Sequence, residues 1–363
     1  MERRSFIRRA TAGAAVGTIA GAPAIVNAQP QIRWRMTSAF PKSLDALFGT
    51  GEFLARRVAA MTGGKFQISV HPAGEIVPPL QALDAVQAGT VEMAHTALYY
   101  HFGKEPTWAV FTALPFGLNN RQYNAWWFEG GGEKLLNEFA NRSAGVHTFV
   151  AGSTGAQMGG FFRKEIQSIE DLKGLKFRIA GMAGQMLAKL GVVPQQLAAG
   201  DIYSALEKGA IDAAEFTVPH DDEKLGFHKV AKFYYSPGFW EGGAALHAVV
   251  NAKTMASLPP EYRQVLESAS TEANQHMMSR YDAMNAAAIK RILAGGGQLR
   301  VFPRPVMEAS YKAMQEVIAD HSGKSADFKK AQEAYYGFQR DQIAWFRVCE
   351  NPFDDFMAHI RRT

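Results

Sequence analysis

Asp201-Ile202-Tyr203-Ser204-Ala205-Leu206-Glu207-Lys208-Gly209-Ala210-Ile211-Asp212-Ala213-Ala214-Glu215 reads as a helix that stops at a glycine and passes at once into a strand. Gly209 supplies the backbone freedom that ends the helix, and Ile211 to Glu215 has the length of a short buried strand. Upstream, Leu175 to Ala180 reads as another strand, and Met182 to Leu190 as the helix that follows it. Alternation of helix and strand predicts an α/β sheet. An earlier passage repeats the arrangement, with a helix from Pro79 to Ala88, then Gly89, then the apolar run Val91 to Ala97. At a constant offset of 120, Ala85, Val86, Gly89, Val91, Glu92 and Ala94 fall on Ala205, Leu206, Gly209, Ile211, Asp212 and Ala214. The match predicts two similar lobes facing each other across a cleft. Ligands of such sheets sit beyond the carboxyl ends of the strands, where His95 and Glu215, equivalent under the offset, are expected.

Outward from this pair, Ser43 to Met61 carries a helical pattern, and Phe66, Ile68 and Val70 alternate with polar residues as a strand does. After residue 243 the pattern turns helical: Ala252 to Leu258, Pro260 to Leu293, Arg304 to Ser322 and Ala326 to Phe346. Long helices at the end of a two-lobed chain brace the lobes or pair subunits. The expected division is 29–152 with about 243–290 for one lobe, and 153–242 with about 291–363 for the other, joined by more than one crossing. Trp126-Trp127-Phe128 reads as core or lobe interface.

With 47% apolar and 20% charged residues in 363, the chain is an ordinary folded protein of about two domains. The formal charge is +5, but residues 1–28 hold Arg3, Arg4, Arg8 and Arg9 against Glu2. Without them, 35 Lys and Arg face 33 Asp and Glu, so no nucleic-acid partner is expected. The single cysteine, Cys349, excludes an intrachain disulfide and a zinc cluster. Arg3-Arg4-Ser5-Phe6-Ile7-Arg8, an uncharged stretch from Ala10 to Val26, and Val26-Asn27-Ala28 form a twin-arginine signal peptide over 1–28. The mature protein is therefore expected in the periplasm.

Arg178 stands where a strand runs into a glycine-rich turn. Its guanidinium offers a planar fork that matches a carboxylate in two bonds; a surface ion pair is the plainer use. Glu215 ends its strand, and Glu241 lies in Phe239-Trp240-Glu241-Gly242-Gly243. Two carboxylates in one cleft suit general acid and base or a hard cation. If Arg178 binds an anion nearby, two acids repel it, and a cation removes the repulsion. The alternative is two unrelated surface glutamates. His220-Asp221-Asp222 reads as a solvated helix start. There is no Gly-x-Ser-x-Gly, no His-Glu-x-x-His and no phosphate loop.

Asp171-Leu172-Lys173-Gly174-Leu175-Lys176-Phe177-Arg178, Gly191-Val192-Val193-Pro194 and the stretch from Tyr203 to Glu215 together resemble the extracytoplasmic solute-binding proteins of tripartite ATP-independent periplasmic (TRAP) transporters, the DctP family. Asp221-Asp222-Glu223-Lys224-Leu225-Gly226 and Trp240-Glu241-Gly242-Gly243 are similar to the branch that binds 2-oxo monocarboxylates with a cation. The resemblance implies a two-lobed venus-flytrap α/β fold with long C-terminal helices, no enzymatic activity, and delivery of the ligand to a sodium-driven permease. It implies that Arg178 clamps the ligand carboxylate and that Gln157 touches both ligand and cation. By the same resemblance, Glu215, the Phe216 main chain and Glu241 would complete a site for one hard cation, sodium before calcium, and Tyr99 and Tyr100 match positions that line the opposite lobe. That branch commonly has Trp where this chain has Phe216, which leaves a backbone ligand intact and changes the pocket wall. Helix Ala326 to Phe346 resembles one that some relatives exchange in a homodimer. Lactate, a C4-dicarboxylate or a sugar acid are alternative ligands; from another class, a secreted metal-dependent hydrolase or lyase would use Glu215 as base.

Overall fold

Eleven strands in the described residues, 30–360 of this computed structural model, form two separate sheets. The signal expected over 1–28 lies outside the described residues. Strands β1 (Ile32–Ser38), β2 (Phe66–His71), β3 (Met93–Thr96), β4 (Val146–Ser153) and β10 (Ala245–Asn251) make the first sheet, in the order β2-β1-β3-β10-β4. Strands β5 (Gly160–Phe162), β6 (Lys176–Arg178), β7 (Val193–Gln195), β8 (Ala213–Ala214), β9 (Phe233–Ser236) and β11 (Gln298–Val301) make the second, in the order β11-β9-β5-β8-β6-β7. The chain enters the second sheet after β4, returns to the first at β10, and leaves again for β11.

The offset of 120 is visible in the hydrogen bonds. Helix Ala82–Gln87 leads to β3 through Gly89 (φ 72°), and helix Ala199–Glu207 leads to β8 through Gly209 (φ 71°). Gly89 donates to the Val86 carbonyl as Gly209 does to Leu206, and Val91 to Ala85 as Ile211 does to Ala205. Glu92 accepts from the Arg35 backbone at 2.7 Å, and Asp212 from that of Lys176 at 3.0 Å. Each central strand has one parallel and one antiparallel neighbour: β1 and β10 for β3, β6 and β5 for β8.

Helix Pro260–Ala294 binds the halves into one body. Tyr262, Leu266, Ala269 and Ala273 from its first half pack with Trp34, Met36 and Leu54 of the first lobe. A fully buried side chain of leucine size contributes about 2 kcal/mol over an exposed one. Its second half meets the other lobe, with Tyr281 donating to Asp221 at 2.5 Å and Arg291 gripping Glu223 at 2.7 Å. The helices expected after residue 243 are present, but β10 precedes them and β11 separates the second from the third. Strand β10 is buried along nearly its whole length between β3 and β4, so its apolar run lacks the alternation that marks a half-exposed strand. Helix Arg304–Ser322, helix Ala326–Val348 and helix Glu350–Ile360 close the chain.

Two imidazoles are sealed in the first lobe. Burial pushes His95 down to about 4 and His247 to about 3 from the ordinary 6.5. Both are neutral in the fold and charge first in the unfolded chain, so stability is lost as pH falls through 6.5 toward those values. His247→Asn is expected to remove about 2 kcal/mol of the stability lost between pH 7 and pH 5. Urea unfolding of both proteins at the two pH values measures this; an equal loss in the variant would contradict it.

Candidate functional site

Strands β6 and β8 run parallel with Arg178 paired to Ala214, so Arg178 and Glu215 leave the sheet side by side. The Glu215 amide donates to the Arg178 carbonyl at 3.0 Å. In return, Arg178 Nη1 donates to the Glu215 carbonyl, and to Glu215 Oε2 at 3.1 Å. Arg178 Nε donates to the Leu197 carbonyl at 3.2 Å; Nη2 takes part in none of these bonds. The guanidinium lies 5.3 Å from the centre of the Phe216 ring. With Arg178 1% exposed and Glu215 fully covered, this is a buried ion pair and not a surface one.

Glu241 joins them from the connection between β9 and β10 and is also buried. Its amide donates to the Gly238 carbonyl at 3.0 Å, and the Gly238 amide donates to the Gln157 carbonyl at 3.2 Å. A Cβ at position 238 would stand 2.6 Å from that Gln157 oxygen, so only glycine lets the two backbones approach. Gln157 Nε2 donates to Thr154 Oγ1 at 2.9 Å, which sets the amide with its oxygen free. Burial pushes the Glu241 carboxyl up to about 8, against the pull of Arg178, the Tyr99 hydroxyl and the Gln157 amide. Burial, then the nearness of Glu241, push Glu215 well above the usual carboxylate range. One guanidinium is shared by two buried acids.

Gln157 Oε1, Glu215 Oε1 and Glu241 Oε2 are buried and have no hydrogen-bond partner. An orphaned buried acceptor costs about 1–3 kcal/mol, and three in one site make a cradle of oxygens. Such a donor set fits a hard cation. Tyr99 and Tyr100 reach the same place from the first lobe. The Tyr99 ring would lie 3.3 Å from a Cβ at Gly181, whose φ of 64° also favours glycine. Tyr100 is close enough to Arg178 and both acids for all three to act on its hydroxyl. Trp240 packs against Phe177, Phe239 and Phe302 at 5.5, 4.3 and 5.1 Å beside the site.

The structure thus brings together Arg178, Glu215, Glu241, Gln157, Phe216, Tyr99 and Tyr100. His95 is not among them: its Nε2 faces the Ala151 carbonyl at 3.2 Å inside the first lobe. His220-Asp221-Asp222 begins helix Pro219–Leu225 as expected but is not solvated, and all three side chains are buried. Thr154, which orients Gln157, and Gln196, whose Nε2 donates to the Tyr100 carbonyl at 3.0 Å between the lobes, escaped the sequence reading. Single Thr and Gln residues in loops leave no pattern to find.

Beside the site, Asp45 of the first lobe takes His220 Nε2 at 2.9 Å, Arg280 Nη2 at 2.5 Å and the Lys224 ammonium. His220 and Lys224 belong to helix Pro219–Leu225 of the second lobe, and Arg280 to the long helix. Asp45, His220 and Asp221 lie close enough to hold a metal, but the two cationic side chains already occupy Asp45. The cluster is an ion-paired contact between lobes.

Residues 38–324 match the bacterial extracellular solute-binding protein family 7, DctP. A monocarboxylate 2-oxoacid-binding periplasmic protein of Nostoc sp. is 48% identical over 330 residues, 91% of this chain and 90% of that protein. A TRAP transporter solute-binding protein of Bordetella bronchiseptica superposes with a TM-score of 0.90 at 47% identity, covering 92% of this chain and 99% of its own. It is a mixed-occupancy dimer in which one active site holds copurified calcium and picolinate and the other is apo. A TRAP periplasmic solute-binding protein of Pseudoalteromonas atlantica, with bound sodium and pyruvate, gives 0.87 at 34% identity, over 90% and 99% of the two chains.

Asp45→Asn removes the charge that holds Lys224 and Arg280 together and leaves buried His220 with a weaker partner. Small-angle scattering of the variant is expected to show a larger radius of gyration, and hydrogen exchange over 219–225 a higher rate. Unchanged scattering and exchange would show that this contact does not hold the lobes.

Proposed function

The chain belongs to the bacterial extracellular solute-binding protein family 7, a transport family, and on that premise we propose that it captures a small 2-oxo monocarboxylate, pyruvate or a longer 2-oxo acid, together with one hard cation. The observation that carries this reading is the set of three orphaned oxygens around one buried guanidinium. Arg178 receives the ligand carboxylate. Gln157 Oε1, Glu215, the Phe216 carbonyl and Glu241 hold the cation, and Tyr99 and Tyr100 cover the ligand from the other lobe. When bound, the cation offsets the two carboxylates and so lets an anion enter beside them. The chain's own part is to bind, orient and enclose; lobe closure over the ligand is a hinge motion.

A 2-oxo acid is favoured by the similar Nostoc protein and by the pyruvate and sodium in the Pseudoalteromonas one. Calcium in the Bordetella protein keeps both cations in view. A C4-dicarboxylate fits less well, because Arg178 is the only buried Arg or Lys among the described residues, and a second carboxylate would find no buried cation. Family proteins are periplasmic, and the twin-arginine route is read from Arg3 and Arg4. The closed protein hands its ligand to a TRAP permease. Trp345, Val348, Phe353 and Phe356 are exposed on the last two helices and suit pairing with a second copy; the similar Bordetella protein is a dimer.

Thermal shift of refolded, ligand-stripped protein with pyruvate, longer 2-oxo acids, lactate, succinate and sugar acids, each with sodium, calcium or chelator, tests the reading. Ligand at a hundred times its Kd adds about 2.7 kcal/mol, a rise of a few degrees. The rise is expected for 2-oxo acids alone and lost with chelator and without sodium; a response confined to succinate or sugar acids would replace the ligand class. Glu241→Gln is expected to raise the cation concentration needed, and Arg178→Lys, which keeps charge but loses the fork, to weaken ligand binding about tenfold.

A further inference from the structure

We infer that Asp222 is a positioning residue for the cation site: it grips the Phe216–Thr217 peptide by its amide edge and so fixes where the Phe216 carbonyl on the opposite edge points. The inference rests on the reading of that carbonyl as a cation ligand. The only cis peptide among the described residues is Ser236–Pro237, so the Phe216–Thr217 peptide is trans. A trans peptide is planar, with its N–H and C=O on opposite edges. The Thr217 amide donates to Asp222 Oδ1 at 3.4 Å, and whatever holds that amide therefore aims the carbonyl.

Asp222 is itself fixed. Its Oδ2 accepts from the Tyr234 hydroxyl at 2.7 Å, and the Tyr234 ring stacks on Phe161 with centres 4.0 Å apart. Turning the carboxylate would strand a buried donor. The other polar groups of Thr217 are also engaged: Oγ1 donates to Asp221 Oδ2 at 3.2 Å, and the carbonyl accepts from the Met158 amide, beside Gln157, at 3.1 Å. The Tyr281 hydroxyl from the long helix donates to the same Asp221 oxygen. A carboxylate on the amide also polarises the peptide, which makes the carbonyl oxygen a better donor to a hard cation.

A helix-start role alone explains less. Asp222 reaches back past Val218, the residue that opens helix Pro219–Leu225, to an amide outside the helix. Groups that orient a metal ligand from behind typically change affinity tenfold or more when removed, whereas a purely structural role changes stability and leaves the cation dependence of the folded protein as it was.

The test compares wild type, Asp222→Ala, Asp222→Asn and Tyr234→Phe. Pyruvate binding is measured by calorimetry at graded sodium and calcium, and melting temperature and hydrogen exchange over 213–219 are recorded without ligand. Asp222→Ala is expected to raise the half-saturating cation concentration about tenfold, with pyruvate affinity at saturating cation changed less than about twofold. Asp222→Asn, which keeps an acceptor for the amide, recovers most of the loss, and exchange over 213–219 quickens in Asp222→Ala. An unchanged half-saturation in folded Asp222→Ala overturns the inference, as does a pyruvate loss that persists at saturating cation. If Asp222→Ala fails to fold, Tyr234→Phe, which frees one anchor of Asp222, carries the test: about a threefold rise supports the inference and no change overturns it. A wild-type protein indifferent to both cations would overturn the cation reading itself, a result visible before any variant is compared.

Discussion

Arg178 and Glu215 are stripped of water together at the ends of two adjacent parallel strands, and Glu241 is added to them with no second base. Taking charges into a protein interior costs several kcal/mol per ion unless bonds and partners replace the water. Arg178 meets that demand with carbonyls of Glu215 and Leu197 and one carboxylate oxygen. The acids do not meet it fully, and their raised proton affinity is the mark of the deficit. On the proposed reading, a cation and a carboxylate arriving together would complete what the protein leaves unfinished: the first would answer the acids, the second the guanidinium. Joint capture would then follow from charge balance in a buried place.

Everything else about the fold serves to deliver side chains to that place from distant parts of the chain. The second sheet presents Arg178 and Glu215; the connections between sheets bring Gln157 and Glu241; the first lobe brings Tyr99 and Tyr100. The connections can meet because Gly238 lets its backbone lie against that of Gln157, and Thr154 then decides which end of the Gln157 amide faces inward. Outside the site, Asp45 and the long helix tie the same two lobes with ion pairs. Precision in the site depends on contacts that touch no ligand, which is the general condition for holding a metal or an anion in a fixed geometry.

Much of this was legible in advance, for identifiable reasons. The helix-glycine-strand units near Gly89 and Gly209 are local, and local units leave their period in the sequence. Arg178 and Glu215 are charged residues at the ends of short apolar strands, and Glu241 stands before Gly242 and Gly243, a visible combination. Strand β10 was not legible, because burial on both faces removes the alternation that marks a strand. The burial of His220, Asp221 and Asp222 was misread for a related reason: three polar residues at a helix start are ordinarily solvated, and the tyrosines and Asp45 that cover them come from 12 to 175 residues away.

By itself the sequence determined the class of fold, the repeated unit, the exclusion of an intrachain disulfide, and the identity of the charged groups available for a ligand. These depend on composition and short-range spacing, which folding does not alter. Only the tertiary structure decided that the Arg178 pair is buried, that the Gln157, Glu215 and Glu241 oxygens are left without partners, and that Asp222 stands behind the Phe216 peptide. Each of those facts is a balance of desolvation and hydrogen bonding that local sequence does not set, and that balance exists only once the chain has folded.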